Sequence, residues 1–156
     1  MKGKEEMRRS VLFLQLFVPV LWLGFVSAIS LMEAPLKFQA PSVDLAIGVD
    51  IGKLVFSALN RVEWVFFLIA FSSIMLSKNN RKPFVLGLVL CSILLIQTFY
   101  LLPILDERAA LVIARKPVEE SNTHYYYVGL ELIKIALLFL LTLVHFKAVT
   151  LKPISK

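Results

Sequence analysis

Along the chain, apolar runs alternate with short polar stretches at a spacing that suits helices crossing a lipid bilayer. Val11 to Met32 and Phe84 to Leu105 hold no charged residue, and each runs for 22 residues. As helix, that length is about 33 Å, against a hydrocarbon core of about 30 Å. Two further runs are apolar at one end and charged at the other. Trp64 to Ser77 continues back to Leu54 through Arg61 and Glu63, and Ile135 to Phe146 continues back to Val128 through Glu131 and Lys134. With those extensions both reach spanning length. A backbone in lipid must satisfy its own hydrogen bonds, so the spans are expected to be helices. The pattern predicts an all-α, integral-membrane four-helix transmembrane bundle forming one membrane domain over 1–156. Its helices fall at about 11–32, 54–77, 84–105 and 124–147, with outer loops at 33–53 and 106–123. A signal peptide is the competing reading of the first run, which ends in the small residues Ser27, Ala28 and Ser30. A cleaved apolar region is about 7–15 residues. This one is longer and contains Pro19, so it reads as a retained helix that Pro19 bends.

Composition agrees with the pattern. Apolar residues make up 58% of the chain and charged residues 18%, where soluble domains run at about 45–50% and about 25%. That excludes a soluble enzyme, a nucleic-acid module and a disulfide scaffold. The single Cys91 lies within the third span and has no partner for an intramolecular disulfide. The net charge of +6 is unevenly spread. Four spans put both termini and the middle connection on one side. That side holds ten basic residues (Lys2, Lys4, Arg8, Arg9, Lys78, Arg81, Lys82, Lys147, Lys152 and Lys156) against Glu5 and Glu6. The other side holds seven basic and nine acidic residues. By the positive-inside rule the basic side is cytoplasmic, with both termini. The basic surplus is then a topology signal, and no nucleic-acid partner is expected.

The connections differ in kind. Lys78–Lys82 (KNNRK) is a short turn before Pro83, which makes the second and third helices antiparallel neighbours. Glu33 to Lys53 carries Pro35 and Pro41, so the first helix is expected to break after Met32. Ser42 or Asp44 can cap a second helix that projects beyond the bilayer. Leu36, Phe38, Leu45 and Ile47 are too apolar for a solvated loop and are expected to lie on the membrane surface or over the bundle. Gly48 and Gly52 form a G-x-x-x-G at the boundary, read as local flexibility or a close backbone approach rather than a dimer motif. From Asp106 to Thr123, a continuation of the third helix or an interfacial helix is expected, then a break at Pro117 and a cap at Ser121 or Asn122.

The candidate chemistry lies in the outer third. His124, Tyr127, Glu131 and Lys134 follow i, i+3, i+7, i+10 and share one helix face. Lys53, Ser57, Asn60, Glu63 and Trp64 fall on adjoining turns of the second helix, with Arg61 beside them. Gln97 and Tyr100 lie in the third span, and Glu33 follows Ser27 and Ser30 at the end of the first. The expected picture is an outward-facing polar cup with an apolar floor. Its pocket candidates are Glu33, Asn60, Arg61, Glu63, Gln97, Tyr100, His124, Tyr127, Glu131 and Lys134. The bland alternative is that Arg61 pairs with Glu63, or Lys134 with Glu131, and merely sets helix register. Tyr125, Tyr126 and Tyr127 read by default as an interfacial aromatic belt and otherwise as pocket walls, and His145 reads as an interfacial residue at the opposite edge. No cofactor or metal is expected. His124 and His145 are about 32 Å apart on one helix and cannot share a haem iron. His124, Glu33 and Glu131 lack a metal-ligand spacing signature.

Three function classes follow. The first is a pocket for a lipid-like or small amphiphilic ligand, or an accessory subunit docking a membrane-protein partner or a second copy. The second is a membrane-embedded enzyme doing acid/base chemistry on a lipid or isoprenoid substrate. The third is an oligomeric small-solute transporter. The segments Glu33–Phe38, Asn60–Glu63 and His124…Tyr127…Glu131…Lys134 give the chain a further likeness. It resembles a group of small bacterial inner-membrane proteins with four helices. That resemblance implies the same architecture and a multi-pass place in the inner membrane, and it implies no activity.

Overall fold

The computed structural model describes residues 2–77 and 81–150. Within them there is no strand, and four helical rods are long and apolar enough to cross a membrane: α1 (Gly3–Gln39), α2 (Leu45–Met75), α3 (Arg81–Ile113) and α4 (Thr123–Ala148). Most of the KNNRK turn, together with the basic residues Lys78, Lys152 and Lys156, lies outside the described residues. α1 packs on α2 and α4, α2 packs on α3, and α3 packs on α4. The rods therefore close into a ring in chain order, each beside its sequence neighbours.

The burial pattern is the reverse of a soluble bundle's. Lys134, Glu63 and Gln97 are wholly buried, while Phe13, Leu54, Leu68 and Phe99 are each 59–72% exposed. An exterior of large apolar side chains around charged groups suits a lipid solvent, which cannot hydrate a charge. The half of the bundle nearest the basic residues is filled by apolar packing. Phe67, Ile74, Leu90, Leu94, Leu138 and Leu141 form its core, which Trp22, Val26 and Leu59 continue to the level of the polar side chains. Phe71 stacks between Phe67 and Phe84, at 5.3 and 5.6 Å between ring centroids. Gly87 lies under Phe71, where a Cβ would come within 2.8 Å of the ring.

Helix boundaries depart from the hydropathy pattern in three places. α1 does not break after Met32. It is α-helical over Lys2–Ser27, turns π-helical over Ala28–Glu33, and carries on through Pro35 and a 3₁₀ turn at Lys37–Gln39. A π turn takes up one extra residue and displaces the carbonyl row that a proline ring would strike, so the rod survives Pro35. α3 repeats the device, with a π turn at Gln97–Leu101 followed by Pro103.

α2 begins at Leu45 rather than near residue 54, because Asp44 caps it by accepting from the Ile47 amide at 2.8 Å. The expected outer loop of 33–53 shrinks to a short connection after Gln39. The G-x-x-x-G then packs within the chain: a Cβ on Gly48 would overlap the Phe38 ring, and one on Gly52 would sit 3.0 Å from Lys37 Nζ. α3 runs on to Ile113 and ends before Pro117, at Arg115, the one non-glycine residue with positive φ (54°) among those described. Ser121 Oγ accepts from the Thr123 amide at the start of α4.

Candidate functional site

All four rods send polar side chains to one point inside the bundle. Lys134 of α4 is its centre. Its ammonium lies 2.6 Å from Glu63 Oε1, 2.8 Å from Glu131 Oε1 and 2.7 Å from Gln97 Oε1. An ammonium has three N–H donors, so three acceptors satisfy it. Gln97 also donates to Glu131 Oε1 at 2.8 Å, and Ser30 donates to Glu131 Oε2 at 2.9 Å. Trp22 donates its indole N–H to Glu63 Oε1 at 2.9 Å. Buried charges are tolerated when paired and hydrogen-bonded, and here both oxygens of Glu131 and one of Glu63 are engaged.

The two π turns build part of this network. Ser30 sits in the π turn of α1 and Gln97 begins that of α3. A π turn shifts the helix face by one residue, and such turns recur at functional sites. The two prolines thus help set where the neutral partners of the ionic centre point.

Beside it lies a smaller neutral relay. Trp64 donates to Thr98 Oγ1 at 2.9 Å, and Thr98 donates to Asn60 Oδ1 at 3.1 Å. Among the described residues, three buried polar atoms in this region stay without hydrogen-bond partners: Asn60 Nδ2, Glu63 Oε2 and the Tyr127 hydroxyl.

Above the network, towards the less basic end, a cavity of about 590 Å³ opens between the rods. Its walls are mainly apolar, with Leu31, Phe38, Phe56, Leu102 and Val128 among them. Ser30, Tyr127 and Glu131 line it on the network side, and Lys37, Lys53, Asp106 and His124 supply its other polar groups. Lys37 pairs with Glu33 at 3.3 Å and lies 5.6 Å from the Phe56 ring centroid.

No protein-family model, curated protein or solved structure matches this chain. The site is therefore read from its own geometry.

Of the ten sequence candidates, Glu63, Gln97, Glu131 and Lys134 form the ionic network, with Tyr127 packed above them. Asn60 belongs to the Thr98 relay, Glu33 pairs with Lys37, and His124 lines the cavity. Two stand apart. Arg61 is exposed, and its nearest polar partner is Ser57 Oγ at 3.4 Å. One residue on from Asn60 is a turn of 100°, which takes Arg61 off the inward face. Tyr100 is 64% exposed and faces outward with Phe99. The pairing of Arg61 with Glu63 is thus corrected, since the cation that meets Glu63 comes from α4. His124, Glu33 and Glu131 do not converge into a metal-binding group among the described residues.

The sequence pattern missed Trp22, Thr98, Gln15 and His145. Gln15 donates to the Ser73 carbonyl at 2.8 Å, and His145, at the basic end of α4, is buried in the bundle. For α1 a signal was present. Gln15, Val18, Trp22 and Val26 follow i, i+3, i+7, i+11 and are all buried. A buried indole usually finds an acceptor, which points Trp22 at a polar group on another helix.

Proposed function

We propose that the protein is a multi-pass protein of the cell inner membrane with both termini cytoplasmic, and that its outward cavity binds a lipid-like amphiphile. The orientation rests on the ten-to-two basic excess at one end. The binding function rests on one observation above all: an apolar cavity of about 590 Å³ that ends on a buried carboxylate and an unpartnered phenol. Small-molecule sites have this make-up, with apolar walls and a few convergent polar groups.

The polar end of the ligand meets Tyr127, Ser30 and Glu131, while its apolar body lies along Phe38, Phe56, Leu102 and Val128. The network below holds two carboxyl groups and one ammonium, so a head group that donates hydrogen bonds, a hydroxyl or an amine, is favoured there over an anion. Binding is favoured over acid/base catalysis because Glu131 already accepts from Ser30, Gln97 and Lys134. It is favoured over transport because the bundle beneath the network is closed by Phe67, Leu90, Leu94 and Leu138.

Tyr127→Phe tests the reading. The hydroxyl sits beside Glu131 without a well-formed hydrogen bond among the described residues, so its loss should disturb the fold little. The parent protein, purified in a mild detergent, should carry a retained species in native mass spectrometry, and the variant should hold about tenfold less, as expected for one lost hydrogen bond. Equal retention by both proteins, or a bare parent, would refute a ligand at this floor.

A further inference from the structure

The opposite end of the bundle holds a second cavity, of about 890 Å³, that the proposed function does not use. It opens where α1 and α3 begin and α2 and α4 end. Met7, Val11, Leu12, Ile74, Pro83 and Val144 make an apolar wall. Arg8 of α1 and Arg81 and Lys82 of α3 supply its charge, and no acidic side chain lines it among the described residues. None of the three cations is in an ion pair among those residues.

His145 also lines the cavity. It is 5% exposed, and its Nε2 has no hydrogen-bond partner among the described residues. The positive-inside bias explains basic residues at this end. It explains neither a cavity between them nor a buried imidazole nitrogen left unpaired, which carries a desolvation penalty until something meets it. The arrangement differs from the outer cavity in sign. There the floor carries a carboxylate, whereas here every charged group is a cation.

We propose that this cavity binds a phosphate-bearing anion, its oxygens held by Arg8, Arg81 and Lys82 and by the Nε2–H of His145. Arginine and lysine at phosphate give short, charge-assisted hydrogen bonds. The apolar wall below them has the chemistry to take the start of an acyl chain. A phospholipid head group and free phosphate share the recognised chemistry, and the experiment separates them.

The protein is stripped of lipid in mild detergent and titrated with dioctanoyl phosphatidic acid, dioctanoyl glycerol and, separately, inorganic phosphate, with adducts read by native mass spectrometry. One phosphatidic acid per chain is expected at this cavity, whereas dioctanoyl glycerol, whose hydroxyl suits the outer cavity, should bind with no dependence on Arg8, Arg81 and Lys82. Arg8, Arg81 and Lys82 are exposed, so an R8Q/R81Q/K82Q variant should keep its thermal midpoint while losing at least tenfold in phosphatidic acid retention. His145→Leu should lose a further factor within the parent's background, and raising salt should weaken retention by the parent alone. Uptake of inorganic phosphate with the same dependence on the three cations, but none of phosphatidic acid, would keep the anion site and assign it to a soluble phosphate. Equal phosphatidic acid retention by parent and triple variant would overturn the proposal, as would a triple variant that loses dioctanoyl glycerol as well, or the absence of any phosphatidic acid or phosphate adduct.

Discussion

The same four helices make two kinds of interior. On one side of the bundle's middle, Phe67, Phe71, Phe84, Leu90, Leu138 and Leu141 fill space by shape. On the other, Trp22, Ser30, Glu63, Gln97, Glu131 and Lys134 meet by direction and charge. The apolar side is built on regular helix, and the polar side recruits two π turns. The contrast follows from the forces involved. Dispersion is non-directional and tolerates many rotamers. A buried ammonium needs acceptors close to 2.8 Å in three directions, so the backbone must be adjusted to deliver them.

The contrast is broken most directly at Lys134. Lys134→Met leaves Glu63 and Glu131 buried without a cation and should remove about 3–5 kcal/mol of stability. The check is an unfolding curve in mixed micelles. Adding Glu63→Leu and Glu131→Leu to that variant should restore most of the loss, since apolar replacement of a whole buried ion network is often tolerated. A single variant as stable as the parent would mean that the network is not desolvated.

Leu138→Ala probes the apolar side, where Leu138 is fully buried. It should lose about 2 kcal/mol, the lower end for such a truncation, because lipid offers no water to avoid and only packing is lost. A loss equal to that of Lys134→Met would erase the proposed difference between the two sides. Gln97→Leu removes the neutral bridge between Lys134 and Glu131 and should cost about 1–2 kcal/mol in the same measurement. A larger loss would place the π turn at Gln97–Leu101 under the control of the Gln97 side chain.

Asp44→Ala removes the α2 cap and an exposed ion pair with Arg115, 2.9 Å long. About 1 kcal/mol is expected, nearly all of it from the cap. Arg115→Gln at the same site separates the two contributions and should change stability by less than about 0.5 kcal/mol. The smallest effect is expected at Arg61→Gln, also below about 0.5 kcal/mol, since its one polar contact is exposed. A large effect there would return Arg61 to the site and sharpen the comparison the other way.

Much of the architecture was legible in the chain. Four apolar stretches demanded four helices, because a span in lipid has no other way to satisfy its backbone. The i, i+3, i+7, i+10 series from His124 to Lys134 put Tyr127, Glu131 and Lys134 on a face directed inward, and all three are buried. The Asp44 cap was readable because capping is a local hydrogen bond between near neighbours. The helix through Pro35 was not readable, because proline in isolation predicts a break and only the surrounding packing makes a π turn worthwhile.

Partner choice belongs to the tertiary structure. Arg61 lies two residues from Glu63 in the chain, and Lys134 lies on another helix, yet Lys134 makes the contact at 2.6 Å. Helix phase turns Arg61 away, and the packing of α4 against its neighbours brings Lys134 in. Likewise His145 and Gln15 look like isolated polar residues near span ends, and only the bundle buries them. The sequence by itself determined the number of spans, their helical state and their polar inward faces, since these follow from solvent, backbone and periodicity. Which charges meet, where the two cavities open and which polar atoms stay unpaired were decided only by the tertiary structure, because each depends on relative helix rotation and axial shift, quantities that no single helix carries.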